Sequence, residues 1–450
     1  MSSKKEINSQ FLSELSNFIF NNSDKKIQSL ICDLHIADIA EIIEELSIKQ
    51  ATYLFQLIDE ERSAQILIEI EDETREHILS TLSSKEIAIE VIENLESDDA
   101  TDVLSELPKE QKEEVLSLIE DDDHASDIED LLNYPEDTAG GLMAKELIKV
   151  NENWTSIRCL KEMRKQSSEV KEVHTIYVVD DQDKLVGTLS LKRLLLTETK
   201  ILINEIANYD IVSVIATEDD DEVANIMNKY DLIVMPVIDE TGVLLGRITI
   251  DDVMDVVKEE AEKDYQMASG ITEDVESSDS VWQLTRARLP WLLIGLVGGL
   301  LGAKVIGIFE IDKNIELAFF IPLIAAMGGN VGVQSAAIVV QGLANESIKI
   351  NTTLSKLVKE LGVALLNGII CSTIIFGATF ALNYPIDLSL TVSLSLFSVI
   401  VFAALFGTFV PLTLDKYKID PALATGPFIT TVNDILGLVI YFLIGQSILV

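Results

Sequence analysis

Beyond Leu289 the chain stops reading as a water-soluble protein. Five apolar stretches, near 289–309, 317–341, 357–381, 390–413 and 423–449, each reach the roughly 20 residues that a helix needs to cross hydrocarbon. Lipid offers no partner to a free backbone N–H or C=O, so these stretches are expected as helices. An odd number of spans puts the two ends of the chain on opposite sides. Arg286, Arg288, Lys349, Lys356, Lys359, Lys416 and Lys418 flank one side, against Lys313 and, near an outer end, Lys304 on the other. That bias places residues before 289 in the cytosol and the C-terminus outside, in a multi-pass protein of a plasma or inner membrane. Residues 1–12 are polar and carry no apolar signal core, so insertion is expected to start with the first span.

Charge divides at the same place. Of 75 acidic and 34 basic residues, nine and seven lie beyond Leu289, leaving 66 acids against 27 bases in the soluble part. Such a surface repels nucleic acid and anionic lipid, and its self-repulsion is relieved by bound cations. Cys32, Cys159 and Cys371 are far apart and the four His are scattered, which argues against a disulfide framework, a zinc site or a redox motif. There is no P-loop, nucleophile elbow, HExxH or Cys/His cluster, so an enzyme on a membrane anchor finds no support.

Two repeats organise the soluble part. From about Leu46 to Ile119 a polar start followed by an apolar helical stripe recurs every 12–13 residues, as at Ile58, Leu82 and Leu95. Each unit is too short to bury its own face, so stacked short helices with Ser or Asp caps are expected. After the Pro and paired Gly of 130–142, a longer repeat aligns Tyr177–Gly187 with Pro236–Gly246 at an offset of 59 residues, matching Asp180 to Asp239 and Gly187 to Gly246. Its β-turn-β-α ending resembles a tandem pair of cystathionine-β-synthase (CBS) domains. Asp251 to Trp282 then reads as an acidic connecting helix, broken near Gly270.

Within the spans, Asp434 carries the most information. About 11 residues into the last apolar stretch it falls near the bilayer midplane, where a carboxylate costs at least ~2.5 kcal/mol to insert and marks a pathway by default. Thr430, Thr431 and Asn433 add oxygen donors beside it, and Gly426 with Pro427 a helix irregularity. In the second span, Gly328-Gly-Asn-Val-Gly-Val-Gln334 sets Asn330 and Gln334 among glycines and suggests a broken or cavity-lining stretch. Overlapping Gly-xxx-Gly pairs at Gly295, Gly298, Gly299 and Gly302 suit close packing of the first. Oxygen donors without thiolate or imidazole select Mg²⁺ or Ca²⁺ by type, though one carboxylate is too few to cage a dehydrated ion.

With its Gly-Gly-Asn-x-Gly-x-Gln and Pro-Ala-x-Ala-x-Gly-Pro-x-x-Thr-Thr-x-x-Asp patterns, the sequence resembles the MgtE family of magnesium channels over essentially its whole length. The resemblance implies a multi-domain fold: an all-α solenoid at 1–130, an α/β tandem CBS pair at 131–258, a connecting helix at 259–288 and an all-α transmembrane domain of five helices at 289–450. It implies a homodimer with the pore between subunits and an Asp434 from each chain on a hydrated Mg²⁺. It further implies Mg²⁺ sensing, with Asp98 and Asp102 facing Asp252, Glu260 and Asp264, while Asp231 and Asp255 lie toward the connecting helix. Lys263 departs from the acid expected there. ATP at the CBS pair is allowed by the resemblance, although Lys192-Arg193 replaces the Arg-Asp pair expected. The alternatives are Co²⁺, Mn²⁺ or Ca²⁺ as the transported ion, or a magnesium receptor that does not conduct.

Overall fold

The computed structural model describes residues 9–167, 170–273, 275, 279–309, 315–344, 353–424 and 426–449. Lys313 and Lys349, two of the lysines behind the topology expectation, and Thr425 of the Gly-Pro pattern lie outside them. The chain forms two compact units, Met1–Lys258 and Glu259–Val450.

The first unit begins with α1 (Ser9–Phe20), α2 (Asp24–Ile31), α3 (Ile36–Glu44), α4 (Ile48–Phe55), α5 (Glu60–Glu69) and α6 (Asp72–Thr81). It continues with α7 (Ser84–Glu86), a π turn and a 3-10 turn to Asn94, α8 (Ser97–Glu106), α9 (Lys109–Leu116) and α10 (Asp122–Leu131). Helix starts therefore recur every 12 or 13 residues from Asp24 to Asp122. The repeat runs further in both directions than 46–119, because earlier and later units keep the spacing while their polar starts, such as His35, look less alike. Caps are made as expected of short polar residues: Ser83 and Glu86 form a capping box, and the Asp59 carboxylate accepts from Arg62 N–H. No unit closes a core alone; one apolar cluster runs from Leu15 through Ile42, Leu67 and Leu104 to Ile128.

Two three-stranded sheets follow. The first holds β1 (Ile148–Asn151), β2 (Ile176–Val179) and β3 (Leu185–Leu189), with α11 (Ser156–Gln166) and α12 (Leu191–Leu196). The second holds β4 (Val214–Ile215), β5 (Val234–Ile238) and β6 (Leu244–Thr249), with α13 (Asp220–Lys229). Each has a parallel pair and then an antiparallel pair, and the duplication extends to register. Val178 faces Gly187 and Val237 faces Gly246, each pairing slipping immediately afterwards. In both turns the aspartate closes the loop, Asp180 accepting from Gln182 and Lys184 N–H, and Asp239 from Thr241 and Val243 N–H. Helix α14 (Ile250–Ala268) leaves β6 and ends before Gly270, whose φ of +84° reverses the chain where the sequence predicted a break.

The second unit contains α15 (Val281–Ile308), α16 (Ile321–Ala344), α17 (Thr353–Ala381), α18 (Ile386–Lys416) and α19 (Gly426–Leu449). All five are long and apolar enough to span a membrane, with mean hydropathy of 1.6 to 2.3. Helix α18 is the most enclosed, its Val392, Leu396, Val399 and Ile400 packing with Tyr441 and Phe442 of α19.

Candidate ion sites

Of the two expectations for Gly328–Gln334, a broken or a cavity-lining stretch, the first is corrected: helix α16 is continuous through Gly328, Gly329 and Gly332, while Val331 and Gln334 line a cleft. The α16 glycines are used to bring helices together. A methyl on Gly332 would run into the Asn433 amide, one on Gly407 of α18 would run into the Gly332 carbonyl, and one on Gly329 would lie 3.1 Å from Thr430 Cγ2 and 3.6 Å from Asp434 Oδ1. In α15, Gly298 admits the Thr431 methyl, whereas Gly295 and Gly299 have open space before them. Glycine on two sides thus leaves room around one turn of α19.

That room is a cavity of about 960 Å³, and the half-buried Asp434 lines it with Thr430, Thr431, Pro427, Gly298 and Gly299. The Thr430 hydroxyl donates to the Gly426 carbonyl at 2.9 Å and keeps its lone pairs as acceptors. Six waters take about 180 Å³ at roughly 30 Å³ each, so an ion with its full hydration shell fits. The other pore-lining candidates are placed elsewhere. Asn433 is 1 % exposed, buried against α16 with neither amide atom partnered among the described residues; Asn330 is exposed; Gln334 lines a separate cleft.

Where α19 begins, Gly426 takes a φ of +44° and its missing side chain makes way for the Ala268 carbonyl at the end of α14. A methyl on Gly270 would sit 2.6 Å from Pro427 Cγ. Thr272 continues the segment by donating from N–H and hydroxyl, both at 3.0 Å, to the Ala287 carbonyl. Burial, with Asp420 and Glu260 nearby, raises the Asp264 carboxyl above its ordinary range. Lys263, the departure noted above, bonds Glu260 at 3.0 Å.

The first unit holds a second concentration of acid, at the N-terminus of α8 and the start of α14. Burial and the neighbouring Asp99 and Asp252 hold the Asp98 carboxyl well above the usual carboxylate range. Burial pushes Asp99 up to about 7, with Asp252 adding to the effect. Asp252 is likewise raised by burial, although its Oδ2 accepts from Thr249 N–H at 3.0 Å and hydroxyl at 2.6 Å. The structure brings Asp98 and Asp252 close together, with the exposed Asp102 one turn along and Asp99 as a further acid that the sequence did not single out. Asp231, in the turn after α13 with a φ of +53°, and Asp255 in α14 are both exposed, and Glu260 and Asp264 belong to the second unit. Three carboxylates at Asp219, Asp220 and Asp221 also lie within 4.8 Å of one another at the start of α13.

A polar lock beside the acids joins α8 to the second sheet. Arg247 of β6, 4 % exposed, donates to both Glu96 oxygens and to the Glu146 carbonyl at 2.6 Å. The Glu146 carboxylate accepts from Ser97 N–H at 3.0 Å and hydroxyl at 2.8 Å, with His124 Nδ1 3.6 Å away. Arg247, a charge inside an otherwise apolar strand, was the sequence signal for this lock.

The family profile described as a divalent cation transporter matches residues 321–444. The intracellular N domain profile of the same family matches 34–137, and the CBS profile matches 139–197 and 203–259. A magnesium transporter MgtE from Bacillus subtilis is 32% identical over 96% of this chain and 99% of its own. The chain belongs to the MgtE family. A second MgtE relative, from Thermus thermophilus, is 31% identical over 94% of this chain and 95% of its own. Among solved MgtE structures, the cytosolic domain of the Mg²⁺ channel MgtE in complex with ATP superimposes with a TM-score of 0.51 at 30% identity, over 54% of this chain and 99% of that one. The soluble part of a magnesium transporter gives 0.50 at 29%, over 56% and 98%.

Proposed function

We propose that this protein carries Mg²⁺ across a membrane as a homodimer, each subunit presenting Asp434 to a hydrated ion, and that Mg²⁺ bound to its cytosolic acids closes the path. The observation that carries the reading is the position of Asp434, a carboxylate within a membrane-length helix that lines a cavity large enough for the hydrated ion. Mg²⁺ gives up water reluctantly, so a site that accepts hydrogen bonds from the ion's waters avoids most of the dehydration cost and lets the ion leave quickly. Thr430 and Thr431 extend the polar wall, and a second copy of the chain supplies the second carboxylate.

Closure follows from the acids of the first unit. Asp98, Asp99 and Asp252 are held together against their mutual repulsion, and a divalent ion that bridges them favours the docked arrangement over any in which they part. The end of α14 rests on the first residues of α19, so a shift of that helix reaches the helix bearing Asp434. The sensor is cytosolic and the C-terminus extracytosolic in this reading, supported by the arginine and lysine bias. ATP at the CBS pair belongs to it too, supported by the ATP held in the solved cytosolic domain of the Mg²⁺ channel MgtE.

The test is Mg²⁺ flux into liposomes holding the purified protein, wild type beside Asp434→Ala, with Co²⁺, Mn²⁺ and Ca²⁺ run in parallel. Loss of flux in the variant supports the site. Unchanged flux overturns it, and equal passage of the other ions overturns the Mg²⁺ assignment.

A further inference from the structure

We infer that the cleft between α16, α17 and α18 binds an anionic phospholipid, its phosphate held by Lys356 and Lys359. The cleft has a volume of about 530 Å³ and shares no residue with the cavity at Asp434. Lys356 and Lys359 lie at the end of the cleft nearer the start of α17, and Ile338, Val363, Ile400 and Ala404 form its apolar walls. The one carboxylate in it, Glu360, is engaged by the buried Ser335 hydroxyl at 2.6 Å, and neither lysine has a carboxylate within 4.0 Å among the described residues.

Two ammonium groups and one occupied carboxylate disfavour a cation and favour an anion. Basic pockets between membrane helices are the places where anionic headgroups dock. Further along the cleft, Gln334 and Asn367 are exposed, and Thr408, 1 % exposed, has no partner for its hydroxyl among the described residues. The phosphate sits at the lysines, near the start of α17, and the acyl chains follow the apolar walls at Ile338 and Val363. The chain as a whole is strongly acidic, with a net charge of −41, so two lysines in a cleft with no carboxylate within 4.0 Å among the described residues are the complementary feature for an anionic lipid.

The experiment titrates the full-length protein in detergent with phosphatidylglycerol or phosphatidylcholine and follows the unfolding midpoint and the number of bound lipids by native mass spectrometry. Phosphatidylglycerol is expected to bind and raise the midpoint in the wild type. Lys356→Gln with Lys359→Gln should weaken this about 20- to 30-fold, two contributions of about 1 kcal/mol, while Lys416→Gln with Lys418→Gln should not. Equal binding by the cleft variant overturns the proposal. So does an equal shift with millimolar inorganic phosphate, which would make the site one for a free anion. Conversion of the variant from dimer to monomer would make the cleft a seat for a second copy of the chain, and overturns it as well.

Discussion

Arg247 of β6 holds both carboxylate oxygens of Glu96, at 3.0 and 3.1 Å, across 151 positions of sequence. The pair fastens the helical repeat to the second CBS sheet within a few residues of Asp98 and Asp252. Because Arg247 is buried, the bond cannot be exchanged for water without opening that face.

Arg247→Met should therefore leave Glu96 in a partly buried place without its partner. Breaking a buried pair from one side costs about 3–5 kcal/mol, so α8 should lose amide protection in hydrogen exchange on the full-length protein. Retained protection in α8 would show that the repeat is held by apolar contacts alone.

The acids give a pH dependence with a definite sign. Asp98, Asp99 and Asp252 have folded-state values raised above the unfolded carboxylate, so the folded state holds the extra protons. Stability of this face is then full at low pH and lost as pH rises from about 4 toward the value of about 7 at Asp99. Mg²⁺ should restore it and release protons on binding, and the calorimetric affinity should be greater at pH 8 than at pH 6. An affinity independent of pH would place the ion elsewhere.

Asp98→Ala with Asp252→Ala removes two of the three carboxylates proposed to share the closing ion. Flux in liposomes should persist in millimolar Mg²⁺ inside the sensor compartment where the wild type closes, with the open-state rate unchanged. Normal inhibition in the double variant would free these residues of the sensing role.

Gly407→Ala puts a methyl into the Gly332 carbonyl, and backbone cannot turn aside as a side chain can. Overpacking of this kind costs about 1–3 kcal/mol, so the variant should melt at a lower temperature in detergent. Gly295→Ala faces open space and should melt with the wild type.

What could be read from the sequence had a local rule behind it. Five spans follow from length and apolarity, the 12–13-residue repeat from its polar starts, and the CBS duplication from Asp180 and Asp239 closing equal turns. Asp434 stood out because a lone acid in a membrane helix is costly. The rest depends on which way a helix is turned. Asn433 and Asp434 are neighbours in sequence, yet one is packed against Gly332 and the other lines the cavity. Likewise the glycines of α16 looked like points of weakness, and only the arrival of Asn433 and Gly407 shows them as points of contact. Asp99 was passed over beside Asp98 because an acidic run gives no hint of which members are covered.

The absent side chain of Gly426 sets a limit on how this chain can change. With the Ala268 carbonyl seated there, one strand of backbone leans directly on another, and there is no flexible group between them to absorb a displacement. Any larger residue at that point acts as a wedge between the end of α14 and the start of α19, and a residue inserted just after Ala268 would displace the one against the other while leaving the rest of both helices chemically intact.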